Sequence, residues 1–84
     1  MTSRQFLIRR ALLKGLLNSK PYVVLGAHLQ SSLALDVPRL TPTEFDAEIA
    51  ACEQDRYILS VQQDRGLSYT IRVEGEAWLL NNAA

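Results

Sequence analysis

The chain has 84 residues, room for one domain that buries roughly 60% of its unfolded surface and too little for a second independent core. Nine Lys and Arg balance nine Asp and Glu, so the total charge announces no polyanionic partner, and the lone cysteine and lone histidine exclude an internal disulfide or a metal site built on them. The longest apolar stretch, positions 22 to 27, is far short of the ~20 residues that span a bilayer, and basic residues interrupt any leader-like apolar core, so a soluble cytoplasmic protein is expected.

The charges are unevenly distributed. Arg4, Arg9, Arg10, Lys14 and Lys20 precede every acid, giving +5 over the first 35 residues, while the rest carries nine acids against Arg39, Arg56, Arg65 and Arg72, or −5. Residues 3 to 18 place Phe6, Leu7, Ile8, Leu12, Leu13, Leu16 and Leu17 mainly at spacings of three and four, which predicts a helix with a wide apolar face and Ser3 as its N-cap. Arg10 and Lys14 fall on the polar side. Arg9 falls inside the apolar arc, so it either reaches past its neighbours or pairs with an acid of the second half.

Tyr22, Val23 and Val24 favour a strand, but Leu25, Leu29 and Leu33 at a spacing of four favour a second helix, taken as 23 to 35. A loop containing Pro38 leads to the best-defined element. Thr41 as N-cap, Pro42 at the first helical position and Glu44 three residues after the cap form a capping box that opens a helix over 42 to 55. Phe45, Ile49 and Cys52 mark its buried stripe, with Glu48 at the edge, where its carboxylate is expected to reach water.

Residues 57 to 62 and 68 to 73 alternate in polarity around Asp64-Arg65-Gly66, which predicts a hairpin with Gly66 in a left-handed turn position. A short helix over 74 to 81 would dock Trp78 and Leu79 on the core, and residues 82 to 84 are expected to fray. The order helix, helix, capped helix, two-stranded β-hairpin, short helix is that of an α+β winged helix-turn-helix domain occupying residues 1 to 84.

From Tyr22 onward the sequence resembles the PadR-like branch of the winged-helix bacterial transcriptional regulators. Leu40-Thr41-Pro42 stands at the Leu-Ser-Pro type opening of that family's third helix, with Phe45, Ile49 and Cys52 at its apolar anchors, Glu53 at an acidic place, Ile58 at an aliphatic strand position, and Tyr69, Ile71, Gly75 and Trp78-Leu79 at compatible places after the wing. The resemblance implies double-stranded DNA as partner and transcriptional control, in a bacterium or phage, as the role. It departs at Ala50 and Ala51, which replace basic residues, at Arg56, which replaces a glycine, and at Arg72, which replaces a capping threonine. PadR-like proteins also continue past the place of Trp78 into a long dimerising helix, which puts that mode of dimerisation in doubt here, although a homodimer remains among the expected partners.

Contacts with DNA would fall to Thr43 and Ala47 at the start of the third helix, to Arg65 and Gln63 in the wing with Gln62 and Ser68 beside them, and to Arg10 and Lys14 on phosphates. Against this stands the charge of residues 41 to 56, where Glu44, Asp46, Glu48, Glu53 and Asp55 face Arg56 alone, a net −4. Basic residues of the first helix would compensate it within the molecule or in a neighbour, or the acidic helix would meet a basic protein partner or a second copy instead. His28 reads as a packed or surface residue and Cys52 as a small core residue. No nucleophile-base-acid set or phosphate-cradling loop can be assembled, so no enzyme, cofactor or metal is expected.

Overall fold

A computed structural model describes residues 1–82. Seven elements follow one another: α1 (Ser3–Ser19), β1 (Val24–Leu25), α2 (Gly26–Asp36), α3 (Pro42–Gln54), β2 (Ile58–Gln63), β3 (Gly66–Ile71) and α4 (Val73–Asn81). The leucine-bearing face of α1 is central, touching α2, α3, α4 and β3. Ile8, Leu12, Leu13 and Leu16 of α1 close one core with Leu29 and Leu33 of α2, Phe45, Ile49 and Cys52 of α3, and Ile58, Tyr69 and Ile71 of the hairpin. Burying such side chains is worth about 1.5–3 kcal/mol each before chain entropy is charged against it.

Three local expectations need correction. The cap of α1 is Thr2 and not Ser3, because the Thr2 hydroxyl accepts from the Gln5 N–H at 3.1 Å while the Gln5 side chain accepts from the Thr2 N–H at 2.8 Å. The second helix does not begin at residue 23. Val24 and Leu25 pair instead with Tyr69 and Ser68, antiparallel, so the wing is part of a three-stranded sheet ordered β1-β3-β2 rather than a two-stranded ribbon. β-branched and aliphatic side chains suit that edge, and pairing with β3 satisfies backbone groups that helix α2 could not reach. Fraying at residues 83 and 84 lies outside the described residues, while Asn82 caps α4, its side-chain amide donating to the Trp78 carbonyl at 2.8 Å.

Glu48 also lies elsewhere than expected. It is 6% exposed, as is Arg9, whose Nε donates to Glu48 Oε1 at 2.5 Å. The Arg9 guanidinium further approaches Asp55 at 3.6 Å and lies over the rings of Tyr57 at 5.4 Å and Trp78 at 5.9 Å. One buried cation therefore joins α1 to α3, to the start of β2 and to α4. Burial pulls its pKa down, but the hydrogen bond with Glu48 and the charges around it outweigh that and leave it raised. The Cys52 thiol beside the pair is pushed up to about 12, first by burial, with Arg9 acting in the opposite direction.

The end of α3 is closed by a Schellman turn: the Arg56 N–H donates to the Glu53 carbonyl at 3.1 Å and the Tyr57 N–H to the Cys52 carbonyl at 2.9 Å. This turn needs a left-handed residue, and Arg56 takes it at φ 63°, where a side chain costs on the order of 1 kcal/mol relative to glycine. Arg39, in the loop before α3, does the same at φ 59°.

Gly75 has a packing reason of a different kind. Its α-carbon sits over the Tyr57 carbonyl, which accepts from the Arg72 N–H at 2.9 Å, and a β-carbon there would lie 2.4 Å from that oxygen.

Two outcomes follow from these contacts. Glu48→Ala should cost about 3–5 kcal/mol in urea unfolding followed by Trp78 fluorescence, because Arg9 would be left buried without its partner; the double change Arg9→Met with Glu48→Leu should recover most of that. A single-variant cost below about 1 kcal/mol would show the pair to be dispensable. Gly75→Ala should lower stability by about 1–3 kcal/mol by pushing the first turn of α4 off the Tyr57 carbonyl and Ile71, and an unchanged melting curve would contradict that packing.

Candidate nucleic-acid interface

Helix α3 carries the exposed candidates, and its faces follow from its period. At about 100° per residue, Phe45, Glu48, Ile49 and Cys52 share the buried side, and the opposite side presents Thr43, Ala47, Ala50 and Gln54, at i, i+4, i+7 and i+11. All four are exposed and none is charged. Thr43 and Ala47 border a cleft of about 370 Å³ between α3 and the start of α1.

The acids lie on the flanks. Glu44, Glu48 and Asp55 face α1, where Arg4 and Arg9 meet them. Arg4 grips Glu44 with Nε and, through Nη2, with a second bond of 3.0 Å, and the same nitrogen donates to the carbonyls of Pro38 at 2.9 Å and Arg39 at 3.2 Å. Arg4 thus ties the loop before α3 to its first turn. Asp46 and Glu53 occupy the other flank, towards β3, where burial first and then the charges of Glu53 and Asp46 raise the Tyr69 phenol. Compensation within the molecule accounts for three of the five acids of residues 41 to 56.

The hairpin turns through Asp64 and Arg65, and Gly66 adopts φ 126°, a positive value that favours glycine. Arg65 is exposed at the tip and makes no ion pair among the described residues. Gln63 is exposed but its Oε1 accepts from the Ser68 hydroxyl at 2.7 Å, which leaves its amide nitrogen for a ligand. Ser68 itself is fully buried, so it cannot act as a wing donor as expected; its row in the sheet lies between Val61 and Leu25. Gln62 donates to the Gln63 carbonyl at 3.0 Å.

Arg10 and Lys14 are not brought to this surface. They line a separate groove of about 510 Å³ between α1 and α2, with Asn18, Ser32 and Asp36. The sequence reading missed Ala50 and Gln54, although the spacing that starts at Thr43 reaches both. It also passed over Arg39 and Arg56, which stand at the two ends of α3, exposed and outside the ion pairs of the described residues.

No group of three or more His, Cys, Asp or Glu side chains among the described residues is placed to hold a metal, and no described helix is long and apolar enough to cross a membrane. No protein-family model and no curated protein matches the sequence. The fold is shared with the crystal structure of TA0346 from Thermoplasma acidophilum, named as a candidate transcriptional regulator, with a TM-score of 0.75 over 94% of this chain and 79% of that one, at 19% identity. With its helix-turn-helix frame and hairpin, the chain is an α+β winged helix of the kind found in that protein.

The clasp on Glu44 has a pH signature. Hydrogen bonds from Arg4 and then from the Thr41 N–H hold the Glu44 carboxyl at about 2 against an ordinary 4.5. A depressed carboxyl contributes stability that is fully present above its unfolded value and is lost as pH falls through the folded one. Melting temperature should therefore fall more steeply between pH 4.5 and 2 in the wild type than in Glu44→Gln. Parallel curves for the two proteins over that range would show the clasp to carry no stability.

Proposed function

We propose that the protein is a DNA-binding transcriptional regulator of the PadR-like type, with the outward face of α3 set into the major groove and the hairpin tip on the neighbouring backbone or minor groove. The observation that carries this reading is the neutral face of α3. Thr43, Ala47, Ala50 and Gln54 form a face free of carboxylates, because Glu44, Glu48 and Asp55 are turned towards α1 and the exposed Asp46 and Glu53 lie on the flank towards β3. Thr43 and Gln54 offer hydrogen bonds to base edges, and Ala47 and Ala50 offer the small apolar contact that suits a thymine methyl. Arg65 and the free amide of Gln63 supply phosphate or minor-groove contacts from the wing.

The competing reading, an acidic helix that docks a basic protein, rests on the net −4 of residues 41 to 56. Asp46 and Glu53 alone remain on α3 without an ion pair among the described residues, too few for a dominant acidic patch. Arg10 and Lys14 take no part in the α3 contact on this reading, since their groove lies between α1 and α2.

Binding to a fluorescein-labelled duplex should be measurable by anisotropy at low salt and should weaken steeply as KCl is raised. Arg65→Ala should lose affinity and reduce the log–log salt slope by about 1, whereas Thr43→Val should alter preference among duplex sequences with the slope unchanged. An absence of duplex binding at the lowest salt would remove the DNA reading.

A further inference from the structure

The outward face of α3 solves one problem and creates another, since a neutral face brings no cation to offset the phosphates that a groove-bound helix must pass. The cations nearest to α3 in the chain are Arg39, three residues before its first residue, and Arg56, two after its last. Among the described residues these two are the non-glycine positions with positive φ, at 59° and 63°. Both are exposed, and neither joins an ion pair of the described residues.

Glycine would serve either backbone position better, and a charged side chain in the left-handed region is strain that the rest of the fold must hold in place. Here it is held. The Schellman bonds fix Arg56, and the Arg4 fork, donating to the Pro38 and Arg39 carbonyls, fixes Arg39.

Geometry gives the strain a use. Helix α3 has 13 residues and is about 20 Å long, whereas the major groove is about 12 Å wide. A helix of that length crossing the groove puts its two ends near opposite phosphate rows. We infer that Arg39 and Arg56 are a pair of phosphate contacts bracketing α3, with Arg4 a positioning residue that sets the backbone of Arg39. The inference rests on the DNA-binding reading and adds to it the source of the affinity that the neutral face lacks.

The test uses the full chain, a short mixed-sequence fluorescein-labelled duplex and a series of KCl concentrations, since phosphate contacts do not depend on base sequence. Arg39→Gly and Arg56→Gly should each raise the melting temperature by a few degrees, through relief of the left-handed strain. Each should at the same time lose several-fold in duplex affinity and lower the salt slope by about 1. Arg39→Lys and Arg56→Lys, which keep both charge and strain, should retain the wild-type slope. Glycine variants that bind with wild-type affinity and slope would overturn the inference while leaving the DNA reading in place. Loss of affinity together with a lower melting temperature would also overturn it, because damage to the fold would then account for the loss. A wild-type chain that fails to bind the duplex at the lowest salt would remove the underlying reading itself.

Discussion

The pairing of Arg9 with Glu48 is the constraint around which the rest of this fold is arranged. A guanidinium on the apolar side of α1 has no route to water once α3 and α4 are in place, and its exposure of 6% shows that it has taken none. It is tolerable there because the Glu48 carboxylate meets it at 2.5 Å and because the faces of Tyr57 and Trp78 lie against it. Each of those groups comes from a different part of the chain, so satisfying one buried cation fixes the relative placement of α1, α3, the start of β2 and α4. Apolar burial alone does not do this, since leucine faces pack in several registers at similar cost; a buried cation that must meet Glu48, and reaches Asp55 from the same place, favours one.

The same pairing changes what α3 presents. By composition the segment from Thr41 to Arg56 carries net −4, a poor credential for entering a groove between phosphates. Arg4 and Arg9 meet three of those acids along the seam between α1 and α3, so part of the positive charge of the first third offsets part of the acidity that follows inside the molecule. The side opposite the core then presents Thr43, Ala47, Ala50 and Gln54, with Asp46 and Glu53 on one flank. Net charge per element is thus a poor guide where two elements of opposite sign pack side by side.

How legible this was in the sequence depended on how local each cause is. Thr41-Pro42-Thr43-Glu44 marked the start of α3 because cap, proline and capping carboxylate lie within four residues. Asp64-Arg65-Gly66 marked the turn for the same kind of reason, and the stripe of Phe45, Ile49 and Cys52 followed from period alone. Residues 24 and 25 depart from the helix that the leucine spacing predicts because their state is set by β3, some forty positions on, and two residues carry no periodicity of their own. Glu48 was placed at the water's edge because its wheel position is marginal; the arginine that draws it inward lies 39 residues earlier. Ser68 is a wing donor by residue type alone, but it is buried, and Gln63 satisfies its hydroxyl from within the hairpin. The neutral outward face of α3 could be read from spacing, but its meaning required knowing which acids were occupied.

The two arginines at the ends of α3 illustrate a different limit. A glycine at the place of Arg56 would close the Schellman turn at lower cost, and the turn forms nonetheless, held by the bonds to the Glu53 and Cys52 carbonyls. Local preference and observed conformation disagree there and again at Arg39, and such disagreements concentrate where a side chain has work beyond the fold. On the proposed DNA-binding reading, neutral side chains along the middle of α3 and cations beyond its ends would amount to a division of labour, in which base edges meet hydroxyl, amide and methyl groups while the charge stands outside the groove. In such an arrangement the sequence-independent part of binding is set by residues that the fold strains to hold, and the sequence-dependent part by residues that cost it nothing. Relieving the strain would then trade affinity for stability and leave the order of preference among DNA sites as it was.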